Sequence, residues 1–301
     1  MDTSLSGWLQ VDLNIDRDRV DSAEAMLFEA GANAVTLLDA KDQPVHEPAP
    51  GEMPLWPDVV VRGLFPSDLD RQALLDTLAD AELINAATDV TFEPLVDQDW
   101  ERAWMDQYQP LRFGRDLWIC PSHIEPEPDW PLVIRLDPGL AFGSGTHPTT
   151  ALCLEWIDGI DLRGKTVIDF GCGSGVLAIA CALKGATEVI AVDHDRQALE
   201  ATAENARRNG VEALIRCLPP EQFEAREVDC VLANILAGVL IELADPLKAC
   251  VRPGGHLILS GILAEQSDEV SRAFGDHLIA LSSQQREDWM RLDFKRAETT
   301  P

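Results

Sequence analysis

The chain has 301 residues, 46% of them hydrophobic and 25% charged, with a formal net charge of −28. That is enough length for two domains with separate cores, and the composition is that of an ordinary globular protein. So acidic a surface repels nucleic-acid phosphates and attracts basic partners, which argues against direct DNA or RNA binding.

The imbalance is uneven. Residues 1–100 carry 21 acids and 5 bases, and the other 201 carry 31 acids and 19 bases. No apolar run approaches the roughly 18 residues needed to span a bilayer. The start, Met1-Asp2-Thr3, has neither the basic segment nor the apolar core of a secretory signal, so a cytoplasmic protein without a membrane partner is expected. The seven cysteines contain no Cys-x-x-Cys pair and read as reduced packing residues. The six histidines show no ligand spacing, and no metal is expected.

Along the chain, residues 8–13 alternate apolar and polar with period two, a half-buried strand. Residues 16–30 carry an apolar stripe at Val20, Ala23, Met26, Leu27 and Ala30 that stops at Gly31, a helix. Strands follow at 34–38 and 59–61, separated by a Pro- and Glu-rich loop at 43–57. Residues 67–84 open with Ser67 as cap and form a helix, and a strand runs from 90 to 92 or on to 96. The order strand, helix, strand, strand, helix, strand predicts a ferredoxin-like α+β domain over 1–96. A linker helix is expected at 97–110, with Trp100 and Trp104 on one face.

A second domain should occupy 111–301. Strands at 118–120 and 132–136 precede a Gly-rich loop that enters a helix near Thr149. Strands are then expected at 166–170, 188–193, 213–217, 228–233, 256–261, 277–282 and 289–295. Helices are expected at 175–184, 195–209, 238–250 and 263–274. Such alternation predicts an α/β domain with a parallel sheet covered on both faces. The connection between the last two strands is too short for a helix, so they should close the sheet with an antiparallel hairpin.

The chemistry concentrates at Thr166–Gly175, which reads TVIDFGCGSG: a strand, an acid, then Gly171, Gly173 and Gly175. Glycines there let the chain turn sharply and let a ligand approach closely. Asp193 ends the next strand, where a carboxylate can take both hydroxyls of a ribose. The dinucleotide pattern G-x-G-x-x-G/A fails from Gly171, because position 176 is Val, and fits loosely from Gly173 with Ala178 last. Asp169-x-Gly-x-Gly-x-Gly is instead the pattern of S-adenosylmethionine enzymes. Both cofactors stay open on the glycines alone. Cys172, inside the loop, reads as a packing residue.

The strand at 228–233 runs into Asn234-Ile-Leu-Ala237 on the same edge of the sheet. Methyl transfer to an amine needs the nitrogen held by its hydrogens with the lone pair free, which an Asn oxygen can do. Asn234 could equally cap a helix. The two prolines and aromatic that would stack a nucleic-acid base are missing after it, which demotes a base substrate. His147 is the one histidine in the Gly-rich entering loop, where it either accepts a proton or orients that loop.

Together, Leu136–Thr150 (LDPGLAFGSGTHPTT), Val167–Ala178 (VIDFGCGSGVLA) and Ala233–Gly238 (ANILAG) resemble the bacterial PrmA type, the methyltransferases of ribosomal protein eleven of the large subunit. The resemblance implies a class I methyltransferase Rossmann-like sheet with an antiparallel last strand. It implies S-adenosylmethionine as donor, and methylation of α-amino and lysine ε-amino groups of that basic protein. It implies an N-terminal domain that grips the substrate, and a monomer. Carried over by position, Thr150, Gly171, Asp193 and Asn234 are expected cofactor contacts, joined by Gly173 and Gly175. Phe142, Gly143, Thr146 and His147 would line the site from the entering loop. Two alternatives remain: the same chemistry on another basic protein or on a nucleic-acid amine, and, more distantly, a nicotinamide-dependent oxidoreductase.

Overall fold

Alternation builds the first sheet: Leu9, Val11, Leu13 and Ile15 of β1 (Trp8–Asp16) are buried and the residues between them are not. The computed structural model describes residues 7–41, 56–95, 108–137, 145–275 and 278–298. The chain divides into two compact units, Met1–Ala103 and Trp104–Pro301.

In the first unit β1 is followed by α1 (Val20–Glu29), β2 (Ala34–Asp39), β3 (Asp58–Pro66), α2 (Arg71–Asp80) and β4 (Val90–Leu95). The strands lie in the order β2-β3-β1-β4 with every pairing antiparallel, the ferredoxin-like arrangement. Val20, Ala23 and Leu27 of α1 and Leu74 and Leu78 of α2 join the inward residues of β1 and β3 in one core.

Two details differ from expectation. The cap of α2 is Asp70, not Ser67; its carboxylate accepts the N–H groups of Gln72 and Ala73 at 3.1 Å each. A charged oxygen suits the positive end of a helix better than a hydroxyl does. And β3 is nine residues long, because it is paired along its length between β2 and β1, and ladder bonds override a local Gly63. Most of the expected linker helix, residues 97–107, lies outside the described residues.

The second unit opens with a small sheet of β5 (Leu111–Phe113), β6 (Leu117–Cys120) and β7 (Leu132–Arg135). The main alternation follows: α3 (Pro148–Gly159), β8 (Thr166–Phe170), α4 (Val176–Leu183), β9 (Glu188–Val192), α5 (Arg196–Arg208), β10 (Ile215–Leu218) and β11 (Val228–Asn234). Then come α6 (Ala237–Glu242), α7 (Ala244–Ala249), β12 (Val251–Leu263), α8 (Ser267–Phe274), β13 (Leu278–Arg286) and β14 (Trp289–Arg296).

The seven strands lie in the order β10-β9-β8-β11-β12-β14-β13. Pairings from β10 to β12 are parallel, and β14 runs antiparallel to both its neighbours. This is the class I methyltransferase sheet. Side chains of α3, α4 and α5 fill one face and those of α6, α7 and α8 the other. The winding reverses between β8 and β11, where open α/β sheets leave a crevice at the strands' carboxyl ends.

The single helix expected at 238–250 is two, meeting at Leu243. Pro246 has no N–H for the carbonyl of Glu242, so the first helix stops and a second begins. Among the described residues no helix is long and apolar enough to cross a membrane.

Candidate active site

The Gly-rich loop leaves β8 with φ of 78° at Gly171, 54° at Gly173 and 80° at Gly175. These are left-handed values that only glycine adopts freely. The loop is braced from α5: Thr202 Oγ1 donates to Gly173 O at 3.0 Å and Asn205 Nδ2 to Ser174 O at 2.9 Å. Asp169 sits fully buried beneath the loop and accepts the Ala178 N–H at 3.0 Å on one oxygen. Its other oxygen has no partner among the described residues. Burial, with the Asp193 charge adding to it, pushes this carboxyl up to about 7. Cys172 is buried and burial raises its thiol, so it packs and does not react.

Asp193 follows β9. One oxygen accepts the Gly173 N–H at 2.9 Å and the other the Asp195 N–H at 3.0 Å. The carboxylate is thereby locked in orientation across the crevice, with lone pairs left over.

Asn234 ends β11. Its Nδ2 lies 3.4 Å from Thr150 Oγ1, and its Oδ1 is buried without a partner among the described residues. The next residue, Ile235, is clamped between two glycines from neighbouring strands. A Cβ on Gly171 would stand 2.1 Å from Ile235 Cγ2, and one on Gly261 would stand 2.3 Å from Ile235 O. The bare backbones of β8 and β12 thus fix where Asn234 points.

These groups surround one cavity of about 620 Å³, lined by His147, Thr149, Phe170, Gly171, Asp193, Asn234 and Trp289. Ile235, Leu236, Val239 and Leu243 give it a largely apolar wall. His147 is the N-cap of α3: its Nδ1 accepts the Thr149 N–H at 3.4 Å and lies 2.7 Å from Thr149 Oγ1. Burial lowers its pKa, against a smaller opposing effect of Glu287, so the ring is neutral at pH 7. Its edge meets the Trp289 ring with centroids 4.9 Å apart.

The family model described as ribosomal protein L11 methyltransferase (PrmA) matches residues 7–297. A protein of that name from Pseudomonas aeruginosa is 51% identical over 293 residues, 96% of this chain and 98% of its own. Another from Marinobacter nauticus is 50% identical over 297 residues, 97% of this chain and 99% of its own. The chain belongs to the ribosomal protein L11 methyltransferase (PrmA) family. Among solved structures, a ribosomal protein L11 methylase from Lactobacillus delbrueckii subsp. bulgaricus matches with TM-score 0.59 and 32% identity. It covers 64% of this chain and 100% of its own.

Within this PrmA-family fold the described site residues fall as follows. Gly171, Asp193, Asn234 and His147 line the cavity, and Thr150 touches it through Asn234. Gly173 and Gly175 shape the loop behind it. Thr146 is described next to the cap of α3; Phe142 and Gly143 lie outside the described residues. Sequence reasoning passes over Thr202, Asn205, Ile235, Gly261 and Trp289. Each acts through a contact distant along the chain, and one sequence carries no local signal for such contacts.

Proposed function

We propose that the chain moves methyl groups from S-adenosylmethionine to α-amino and lysine ε-amino groups of ribosomal protein L11. The observation that carries this reading is the buried, unpartnered Asn234 oxygen in a cavity that also presents Gly171 and the oriented Asp193. When bound, the donor supplies an electrophilic methyl group on a sulfonium. Asp193 would hold its ribose hydroxyls, and the bare backbone at Gly171 would let it lie close. A buried acceptor without a donor is costly, on the order of 1–3 kcal/mol. An N–H of the incoming amine would satisfy it and hold the nitrogen in place.

The amine must be neutral to attack. Its solution pKa is about 10.4 for lysine and about 8 for an α-amine. The apolar wall of Ile235, Leu236 and Val239 disfavours the ammonium form and moves that balance the right way. His147, neutral and committed through Nδ1 to its cap, would orient the entering loop. The net charge of −28 supports a basic protein partner over a nucleic acid. A ribosomal protein as substrate also supports a cytoplasmic enzyme.

The test has two parts. Mass spectrometry of ribosomal protein L11 from cells with and without the gene should show methyl groups only in the former; equal masses would remove the substrate. In titrations, Asp193→Ala should lose S-adenosylhomocysteine affinity, whereas Asn234→Ala should lose methyl transfer by about 100-fold and that affinity by much less.

A further inference from the structure

The tip of the β13–β14 hairpin holds a residue out of keeping with its backbone. Arg286 pairs directly with Trp289, so the turn is the two residues Glu287 and Asp288. Glu287 has φ of 55°. Hairpin turns of this length place glycine, asparagine or aspartate at such a position, because a longer side chain is strained there. Strain of this kind survives only where surrounding contacts enforce it, and it gathers at functional sites.

Those contacts are present on every side of Glu287. Arg286 Nη2 donates to Glu155 Oε1 of α3 at 2.6 Å. Gln285 Nε2 donates to the Glu287 carbonyl at 2.8 Å. The Ala264 N–H donates to the Asp288 carbonyl at 2.8 Å. Trp289 packs on His147 inside the cavity wall. The backbone of the tip is therefore fixed beside the cavity. The Glu287 side chain is exposed and, among the described residues, its carboxylate takes no hydrogen bond or ion pair. Its charge reaches His147, which lines the cavity with Asn234.

We propose that Glu287 is a specificity-determining residue: its carboxylate, carried on the braced hairpin tip next to the cavity-lining Trp289, captures the substrate amine as a cation before that amine passes inwards to Asn234. The inference rests on the amine-methyltransferase reading. It divides the work between two places. Outside, a negative charge selects the ammonium form that dominates in water. Inside, the apolar wall favours the neutral amine, whose proton leaves to solvent. An uncharged side chain of the same length would gain nothing at Glu287 and would bind the more weakly for it.

The full-length enzyme can be tested with two peptides that differ at one position, trimethyllysine or norleucine. Both peptides are blocked at the N-terminus and carry no other lysine, so neither can be methylated and binding alone is read. At low ionic strength the wild type should bind the trimethyllysine peptide about three- to fivefold more tightly, the range of one exposed ion pair. That preference should vanish in Glu287→Gln and Glu287→Gly, and in the wild type at high salt. Glu287→Gly should also melt higher than Glu287→Gln, since glycine accepts the left-handed backbone. A preference that persists in Glu287→Gln overturns the proposal. So does a Glu287→Gln variant whose only change is a shifted pH profile, which would mean that Glu287 serves His147. If the wild type binds neither peptide and leaves the parent lysine peptide unmethylated, the amine-methyltransferase reading itself fails, and this inference with it.

Discussion

Asp169 shows how one residue can carry both a structural and an electrostatic cost. Its carboxyl titrates near 7 in the fold, against an ordinary value of 3.8. The folded state therefore takes up a proton that the unfolded state releases. The stability this contributes is complete below about pH 4 and lost as pH rises through about 7. Asp169→Asn removes the titration. Thermal melts from pH 5 to pH 8 should fall for the wild type and stay flatter for the variant, a difference of roughly 2–4 kcal/mol. Parallel curves would show that the group does not titrate in this window. Gly261 is a second case. Its added Cβ would meet backbone atoms of Ile235 at 2.3 and 2.8 Å, which cannot rotate away. Gly261→Ala should cost about 2–3 kcal/mol in urea titrations and displace Asn234, lowering turnover. Unchanged turnover would show that the Ile235 clamp does not position the site.

Among elements, the union of α3 with β14 matters most, because α3 carries His147 and Thr150 while β14 carries Trp289. It rests on a buried ion pair. Arg291 donates from Nε and Nη2 to Asp293 at 2.7 and 3.0 Å, and from Nη1 to the Leu152 carbonyl at 2.6 Å. Ser282 Oγ donates to Asp293 at 2.6 Å. Both charges are almost fully buried. Arg291→Met strands the Asp293 carboxylate and should cost about 3–5 kcal/mol, measured by chemical denaturation. The double variant Arg291→Met with Asp293→Leu should recover much of it, because no lone charge then remains. No recovery would place the cost in lost packing. The pair stands two residues apart on one strand. It looks like surface alternation in the sequence, and only the helix above it makes it a buried anchor.

At the scale of the whole molecule, charge outweighs every other influence on how a partner arrives. A net charge of −28 steers a basic protein towards the enzyme from beyond contact distance. Salt screens this over about 10 Å at 0.1 M and about 3 Å at 1 M. Raising salt from about 0.05 to 0.5 M should lower kcat/KM for the protein substrate by roughly tenfold, chiefly through KM. The affinity for S-adenosylhomocysteine should barely move. An insensitive kcat/KM would assign recognition to apolar contacts instead.

The order of strands and helices in both units was legible in the sequence, because period-two and helical patterns report which side of an element is buried. So was the core of the site. Gly171, Gly173 and Gly175 answer to a left-handed backbone at each position, a local demand that the sequence shows directly, and Asp193 to its place after β9. The cap at Asp70, the break at Pro246 and the long β3 were not legible, for the opposite reason. Competing local signals are decided by what packs or pairs against them. The clamp of Gly171 and Gly261 on Ile235, the His147–Trp289 contact and the strained Glu287 belong wholly to tertiary structure. The clamp and the ring contact join segments that the chain separates by tens or more than a hundred residues, and the Glu287 turn is braced by Glu155 and Ala264, which lie far from it in sequence. Sequence alone determined which chemistry this protein carries; the packing of β8, β12 and β14 around β11 and α3 decided where its acceptor oxygen and its charges stand.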